Sequence, residues 1–375
     1  MLLAYSTLSI LLIIGYLVII SSYIYYWNKL EVWNIPPHYT PKTTVTVIVA
    51  ARNEALHIVD CLEALLAQDY PTHLLQIWVV NDHSEDNTAD LVKAYSQNNL
   101  YLLNLPSGKM GKKQAIQAAI EQSKGQLIVT TDADCIMDKE WLTYLVSYYE
   151  RHQTKFIAAP VSFYKEKSLF ERFQSLDFMG MMAVAGAGVK GQFMNMCNGA
   201  NLAYERRAFE AVNGFDGINH IASGDDMLLM QKIATDYPNQ IGYLKNPNCQ
   251  TLTYAKPSLK SFMQQRIRWA SKSDAYTGWQ VLAMLATVWI LCISMFLDLL
   301  LMPFHPVFLL LFVLKFGFKG IADFFFLRMM TIFFNRPQLM RVFIPSLFLH
   351  WWYIAIIGSL GNFVKRYEWK NRRVS

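Results

Sequence analysis

The uneven spread of apolar residues constrains this chain more than any single motif. From Leu2 to Tyr26 there is no Lys, Arg, Asp or Glu. About 20 apolar residues suffice to cross a bilayer, so residues 1–28 are expected to form a transmembrane anchor. A cleaved secretory signal fits less well, because no basic residue precedes the run and no small-residue cleavage site is obvious. A second apolar block, residues 276–364, holds runs near Val281–Met302, Val307–Leu327 and Val342–Val364. It is expected to supply two or three spans. The middle run carries Lys315, Lys319 and Asp323, which are costly against lipid, so it should face protein or lie partly at the interface. Pro345 and the Gly358/Gly361 pair make the last run a candidate for a bent or in-plane segment.

The net charge is +6, and much of it flanks these blocks. Lys256, Lys260, Arg266, Arg268 and Lys272 precede the second block, and a basic tail at 365–375 follows it. The positive-inside rule places such clusters in the cytoplasm, where they suit anionic head groups. Three full spans would put the two clusters on opposite sides, so one run does not cross or the tail departs from the rule. The expectation is an integral protein of a bacterial cell membrane with its soluble part on the cytoplasmic side. Membrane lipids are its expected surroundings, and nucleic acid is not an expected partner. The five cysteines are scattered without a C-x-x-C, which indicates neither a disulfide framework nor a zinc site.

Residues 29–42 read as a linker, with the Pro-rich "NIPPHYTPK" at their end, and residues 43–275 as one domain. "TTVTVIVAAR" is a β-branched run of the kind that forms a buried parallel strand. "NEALHIVDCLEALLAQ" follows with Leu56, Val59, Leu62 and Leu66 at helical spacing. The alternation continues through "LLQIWVVND", "SEDNTADLVKAYSQ" (Ser84 or Asp86 as cap), "LYLLNL", "GKKQAIQAAIEQSKG" (ended by Gly125) and "QLIVTTDAD". Strands alternating with helices imply right-handed βαβ units. The fold class is therefore α/β, with a mixed, mainly parallel sheet flanked by helices and terminal transmembrane helices. Ligands of such sheets bind beyond the carboxyl ends of the strands, where Asp82 and Asp132 both fall. Further strands ("KFIAAPVSFY", "IGYLKNPNCQTLTY") and helices would supply the other wall of that crevice.

No G-x-G-x-x-G follows the first strand, and "SGKMGKKQ" lacks P-loop spacing. A nucleotide diphosphate would need another holder. Asp132-Ala133-Asp134 offers one, since Mg²⁺ is commonly bound by one or two carboxylates together with substrate phosphate oxygens. Taken alone, the pair reads first as a solvated turn, and the apolar strand before it is what raises the metal reading. Asp225 and Asp226 precede an amphipathic helix, where an N-cap and first-turn acid are the plain explanation and a general base is the functional one. Gln265, Arg268 and Trp269 share one helix face. Their Arg could grip diphosphate oxygens, or the segment could be an interfacial helix beside the membrane.

In order, "TVTVIVAARNEALHIVDCLEALLAQDYP", "IWVVNDHSEDNT", "SGKMGKKQAI", "DAD", "CNGANLAYERRAF", "SGDD" and "QRIRW" resemble the motifs of inverting family-2 glycosyltransferases with the GT-A fold, over about Thr43 to Ser273. The Q-x-x-R-W element is similar to that of ceramide-glucosyltransferase-like enzymes and processive synthases. The resemblance implies a UDP-sugar donor and Mg²⁺ or Mn²⁺. It implies that Glu54 and Asp82 contact the uridine, that Lys112 or Lys113 lies near the nucleotide, and that Asp132 touches donor while Asp134 ligates metal. Asp226 would be the base. Gln265, Arg268 and Trp269 would close the site, and Asn201 would sit near the sugar. Two positions depart from the family pattern: Asn81 where an Asp is usual, and Asp225 where a Glu is commoner. The short C-terminal block favours addition of one sugar to a lipid or lipid-linked acceptor. A processive polysaccharide synthase and a non-catalytic nucleotide-binding protein are the alternatives.

Overall fold

The computed structural model describes residues 2–219, 221, 224–270 and 279–360, and the backbone of 367–369 and 372–374. Lys272, the expected domain end at 275 and residues 365, 366, 370, 371 and 375 of the basic tail lie outside the described residues. The chain divides into two compact units, one of residues 30–165, 188–254 and 369–375, the other of residues 1–29, 166–187 and 255–368.

The chain opens with α1 (Leu2–Lys29) and enters the first unit at β1 (Val45–Ala51). Then follow α2 (Ile58–Leu66), β2 (Leu75–Asn81), α3 (Thr88–Lys93), β3 (Leu100–Asn104), α4 (Lys112–Gln122) and β4 (Leu127–Asp132). Next come β5 (Ile136–Met137), α5 (Trp141–His152), β6 (Phe156–Ala158) and β7 (Val161–Phe163), before the long α6 (Leu169–Gly191), most of which belongs to the other unit. β8 (Leu202–Glu205), α7 (Arg206–Ala211), α8 (Met227–Asp236), β9 (Ile241–Tyr243) and β10 (Thr251–Thr253) complete the unit.

Seven strands form one sheet in the order β3-β2-β1-β4-β8-β6-β9. The first four are parallel, β8 runs antiparallel to both β4 and β6, and β6 pairs parallel with β9. β1 sits between β2 and β4 with six of its seven residues buried. That is the burial expected where a Val-rich parallel strand is covered on both faces. The connection from β3 to β4 crosses to the far side of β1. Strand order therefore reverses at β1/β4, the place where open α/β sheets bind ligands. β5, β10 and β7 make a small second sheet.

Local expectations are corrected at four points. Leu56 is 89% exposed and precedes α2, whose buried face is Ile58, Cys61, Leu62 and Leu65. α4 stops at Gln122 with Ser123 as cap. Gly125 instead lies against β1, where an added Cβ would meet the Thr46 backbone nitrogen at 2.4 Å. "KFIAAPVSFY" divides at Pro160 into two strands of different sheets, because proline cannot donate to a central ladder. Neither Ser84 nor Asp86 is the N-cap of α3. That position is Asn87, while Asp86 accepts from the Thr88 and Ala55 N–H groups.

The second unit gathers α1, most of α6, α9 (Leu259–Ala270), α10 (Trp279–Leu301), α11 (Val307–Phe333) and α12 (Phe343–Leu360). Three described segments, Leu2–Lys29, Trp279–Leu301 and Pro337–Leu360, are long and apolar enough to cross a membrane. α11 buries three of its charges and leaves Arg328 exposed: Lys315 pairs with Asp298 of α10 at 2.8 Å, and Lys319 pairs with Asp323. Tyr5 of α1 donates to Asp298 and Tyr16 of α1 to Asp323. Of the two expectations for this run, the one with charges facing protein is what the packing shows. Pro345 falls in the first turn of α12, where its missing N–H costs little, and Gly361 lies outside the described residues.

Candidate donor and metal site

Asp132 is the last residue of β4, and Asp134 follows in the turn to β5. Lys112 opens α4, one residue after Gly111, whose backbone (φ 92°, ψ 162°) is a conformation that L side chains avoid. The Gly111 N–H donates to Asp82 Oδ2 at 3.0 Å, tying the carboxylate after β2 to this turn. From there Lys112 Nζ reaches Asp132 Oδ1 at 2.6 Å and Asp225 Oδ2 at 3.2 Å. The Lys112 side chain is 17% exposed, Asp225 12% and Asp132 40%. Burial works against the ammonium, but Asp132 and Asp225 outweigh it and hold its pKa well above the ordinary lysine range.

Asp226 is the N-cap of α8. Its Oδ1 accepts from the Met227 N–H at 2.7 Å, and its Oδ2 accepts from the Gly199 N–H at 3.1 Å. Gly199 leaves room for the cluster: a Cβ there would lie 2.9 Å from Lys112 Nζ and 3.3 Å from Asp225 Oδ2. So Asp132, Asp225, Asp226 and Lys112 do converge, at the carboxyl edge of the parallel strands.

Donor atoms of Asp132, Asp134 and Cys135 lie within 4.8 Å of one another. Two carboxylates at this spacing fit a hard divalent cation such as Mg²⁺ or Mn²⁺. The thiol fits less well. Burial raises the pKa of Cys135, as do Asp134 and Asp132, so it stays protonated and donates weakly to Asp134 Oδ1 at 3.8 Å. Cys61 is likewise raised by burial and by Asp134, and donates to the Asp132 carbonyl at 3.7 Å.

Other expected residues are placed as follows. Asp82 is buried and bound to the Gly111 turn. Asn81 is committed to loop structure, donating to Asn104 and accepting from the Ser84 N–H. Glu54 lies in the β1–α2 connection with its backbone N–H held by Thr88 Oγ1. Lys113 differs from its neighbour: its ammonium donates to the carbonyls of Ile218 at 2.5 Å and Ile221 at 2.6 Å, and so secures that loop. Asn201 departs from expectation. It is 0% exposed, its Nδ2 donates to the Pro160 and Cys249 carbonyls, and its Oδ1 accepts from Trp141 Nε1. With these bonds it ties β8 to the second sheet and α5 rather than facing a sugar.

Gln265, Arg268 and Trp269 belong to α9 of the second unit. There the buried arginine is Arg266, which donates to Asp177 Oδ2 at 2.6 Å, with Tyr353 donating to the other oxygen at 2.7 Å. Its guanidinium lies 4.5 Å from the centroid of the Trp269 ring, which also stacks on Phe178. Gln265 Oε1 is buried with no partner among the described residues. The sequence reading missed Gly199, Cys135 and Arg266. "CNGAN" and the doubled arginine of "QRIRW" were the available signals.

Residues 46–212 match the family model described as glycosyl transferase family 2. That stretch contains six strands of the seven-stranded sheet and both acids of the Asp132–Asp134 pair, and it is similar to a family 2 glycosyltransferase domain. Glycosyltransferase AglE of Haloferax volcanii is 29% identical over 187 residues, covering 49% of this chain and 59% of that protein. A poly-beta-1,6-N-acetyl-D-glucosamine synthase of Staphylococcus epidermidis is 21% identical over 264 residues, covering 67% of this chain and 61% of that protein. The chain thus spans about three fifths of each of these relatives. A solved mannosyltransferase of Pyrobaculum calidifontis, in complex with GDP-Man and Mn²⁺, aligns with a TM-score of 0.57 at 18% identity, covering 96% of this chain and 99% of that one. This likeness bears on the fold alone.

Proposed function

We propose that the chain is a membrane-bound inverting glycosyltransferase that moves one sugar from a nucleotide-sugar to a lipid or lipid-linked acceptor. The observation that carries this reading is the charged cluster in which Lys112 joins Asp132 of β4 to Asp225, just before α8. Asp134 and Asp132 would hold Mg²⁺ or Mn²⁺, which would neutralise diphosphate oxygens. Lys112 would take up charge on the departing diphosphate. Asp226, held by two backbone N–H groups, would receive the proton of the acceptor hydroxyl as it attacks the anomeric carbon from the face opposite the diphosphate. Asp82 and Glu54 would contact the nucleoside, Asp82 through the same turn that positions Lys112. Gln265, Arg268 and Trp269 would have the role that the motif resemblance implies for them, toward diphosphate and acceptor.

Three apolar helices favour a membrane setting, with the soluble unit on the cytoplasmic face. UDP is the nucleotide that the motif order suggests. GDP enters because the solved mannosyltransferase was captured with GDP-Man. Nucleotide release by purified protein with UDP- and GDP-sugars, Mn²⁺ and membrane lipid extract tests the reading. Unchanged release in Asp134→Ala and Asp226→Ala variants would sink the mechanism. A processive synthase is the second reading, favoured by the relatives named as polysaccharide synthases. A polymer ladder instead of one glycolipid would decide for it.

A further inference from the structure

We infer that Lys112 is the resident cation of the donor pocket, and that the ligand able to displace it from Asp132 is a divalent metal–nucleoside diphosphate complex rather than the free metal. The inference rests on the donor-pocket reading above.

Lys112 Nζ is already paired with Asp132 through Oδ1 at 2.6 Å, on the carboxylate that a cation shared with Asp134 would use. Two cations on one carboxylate repel, and weakly screened sites strengthen that repulsion. Free metal therefore has to compete with an internal ammonium. The lysine is not free to leave. Its helix starts at the Gly111 turn fixed by Asp82, and its Nζ fits the space that Gly199 leaves open. It does have a second anchor, since Asp225 Oδ2 lies 3.2 Å away. Nζ can therefore give up Asp132 and keep Asp225, provided that a new anion arrives. A diphosphate supplies that anion while its metal takes over Asp132 and Asp134. Lys113 cannot substitute, because its ammonium is spent on the Ile218 and Ile221 carbonyls. Metal and nucleotide should thus bind synergistically, and Lys112 should set part of the coupling.

The test uses the full chain in detergent and needs no turnover. Free Mn²⁺ is followed by electron paramagnetic resonance as protein is titrated alone, with UDP and with GDP. Lys112→Met is expected to bind Mn²⁺ alone about 10-fold more tightly and the Mn²⁺–nucleotide complex about 10-fold more weakly, shifts within the usual range of coupling between linked ligands. Lys112→Gln and a thermal melt guard against a misfolded variant. Unchanged or weaker binding of Mn²⁺ alone by folded variants overturns the inference. So does binding of Mn²⁺ alone to the wild-type chain that is as tight as its binding in the presence of nucleotide, since the two ligands would then be uncoupled. If neither nucleotide binds but the variant gains affinity for Mn²⁺, the resident-cation half stands, while the nucleotide-sugar reading and the displacement half both fail.

Discussion

Asp82 Oδ2 accepts the backbone N–H of Gly111, and through that one bond the end of β2 determines where α4 begins. Lys112, the next residue, is thereby aimed at Asp132 across the edge of the sheet. A residue expected only to contact nucleoside also sets the geometry of the charged pocket.

Gly111→Ala tests that turn. No atom lies within 4 Å of the added Cβ, so crowding is not at issue. The cost is backbone strain in a region that is essentially glycine-only, about 1–3 kcal/mol. The expected result is a lower Tm together with weaker nucleotide binding by calorimetry, from displacement of Lys112. Equal binding at lower Tm would separate the turn from the pocket.

Asn201→Leu should act on stability rather than chemistry. The change removes the Asn201 bonds to the Cys249 carbonyl and Trp141 Nε1 in a fully buried place, while the Pro160 carbonyl keeps the Thr251 N–H. Each buried polar group left unmade costs about 1–3 kcal/mol, so a loss of about 2 kcal/mol or more is expected in a denaturant titration. A well-folded variant with altered sugar preference would restore the residue to the substrate site.

Asp226→Asn should lower turnover by about 10²–10⁴-fold, the usual worth of a general base. The amide oxygen can still accept from one of the two backbone N–H groups, so folding should survive. Single-turnover product formation separates this loss from slow product release. Chelation of divalent metal should abolish product in wild type, and added Mn²⁺ should restore it.

Glu166 gives a pH dependence with a definite sign. Burial raises its pKa, but the paired bonds from Arg336 and the bond from Ser175 outweigh burial and lower it below the ordinary value of 4.5. A depressed folded pKa contributes stability above about 4.5 that is lost as pH falls through the folded value. The Tm advantage of wild type over Glu166→Gln should therefore be full at pH 7 and shrink below pH 4.5. A constant difference over that range would remove the clamp from the account.

Much of the sheet was legible because β1, β2 and β4 are mostly apolar, β-branched runs, the last two leading into Asp82 and Asp132, and burial on two faces leaves that signature directly in composition. The Pro160 division was less legible, since both halves of "KFIAAPVSFY" have strand character and only proline's lost donor separates them. Lys112 and Lys113 could not be told apart by pattern. They are adjacent on one helix, and their partners stand 20 and 105 or more positions away in sequence. Asn201 misled for a similar reason: its three partners lie in separate segments that meet only after folding. Arg266 was passed over for Arg268 because a face drawn from spacing ignores which side an aspartate on another helix occupies.

The pairing of Lys315 with Asp298, completed by the Tyr5 hydroxyl, has a consequence for how this protein is made. Neither α10 nor α11 is self-sufficient in hydrocarbon, because each carries a charge whose counterpart sits on the other. An insertion machine that released them into lipid singly would strand those charges, so the helices should leave it as a hairpin, with α1 waiting beside them. For anyone building chimaeras, α1, α10 and α11 are accordingly one cassette to be exchanged together.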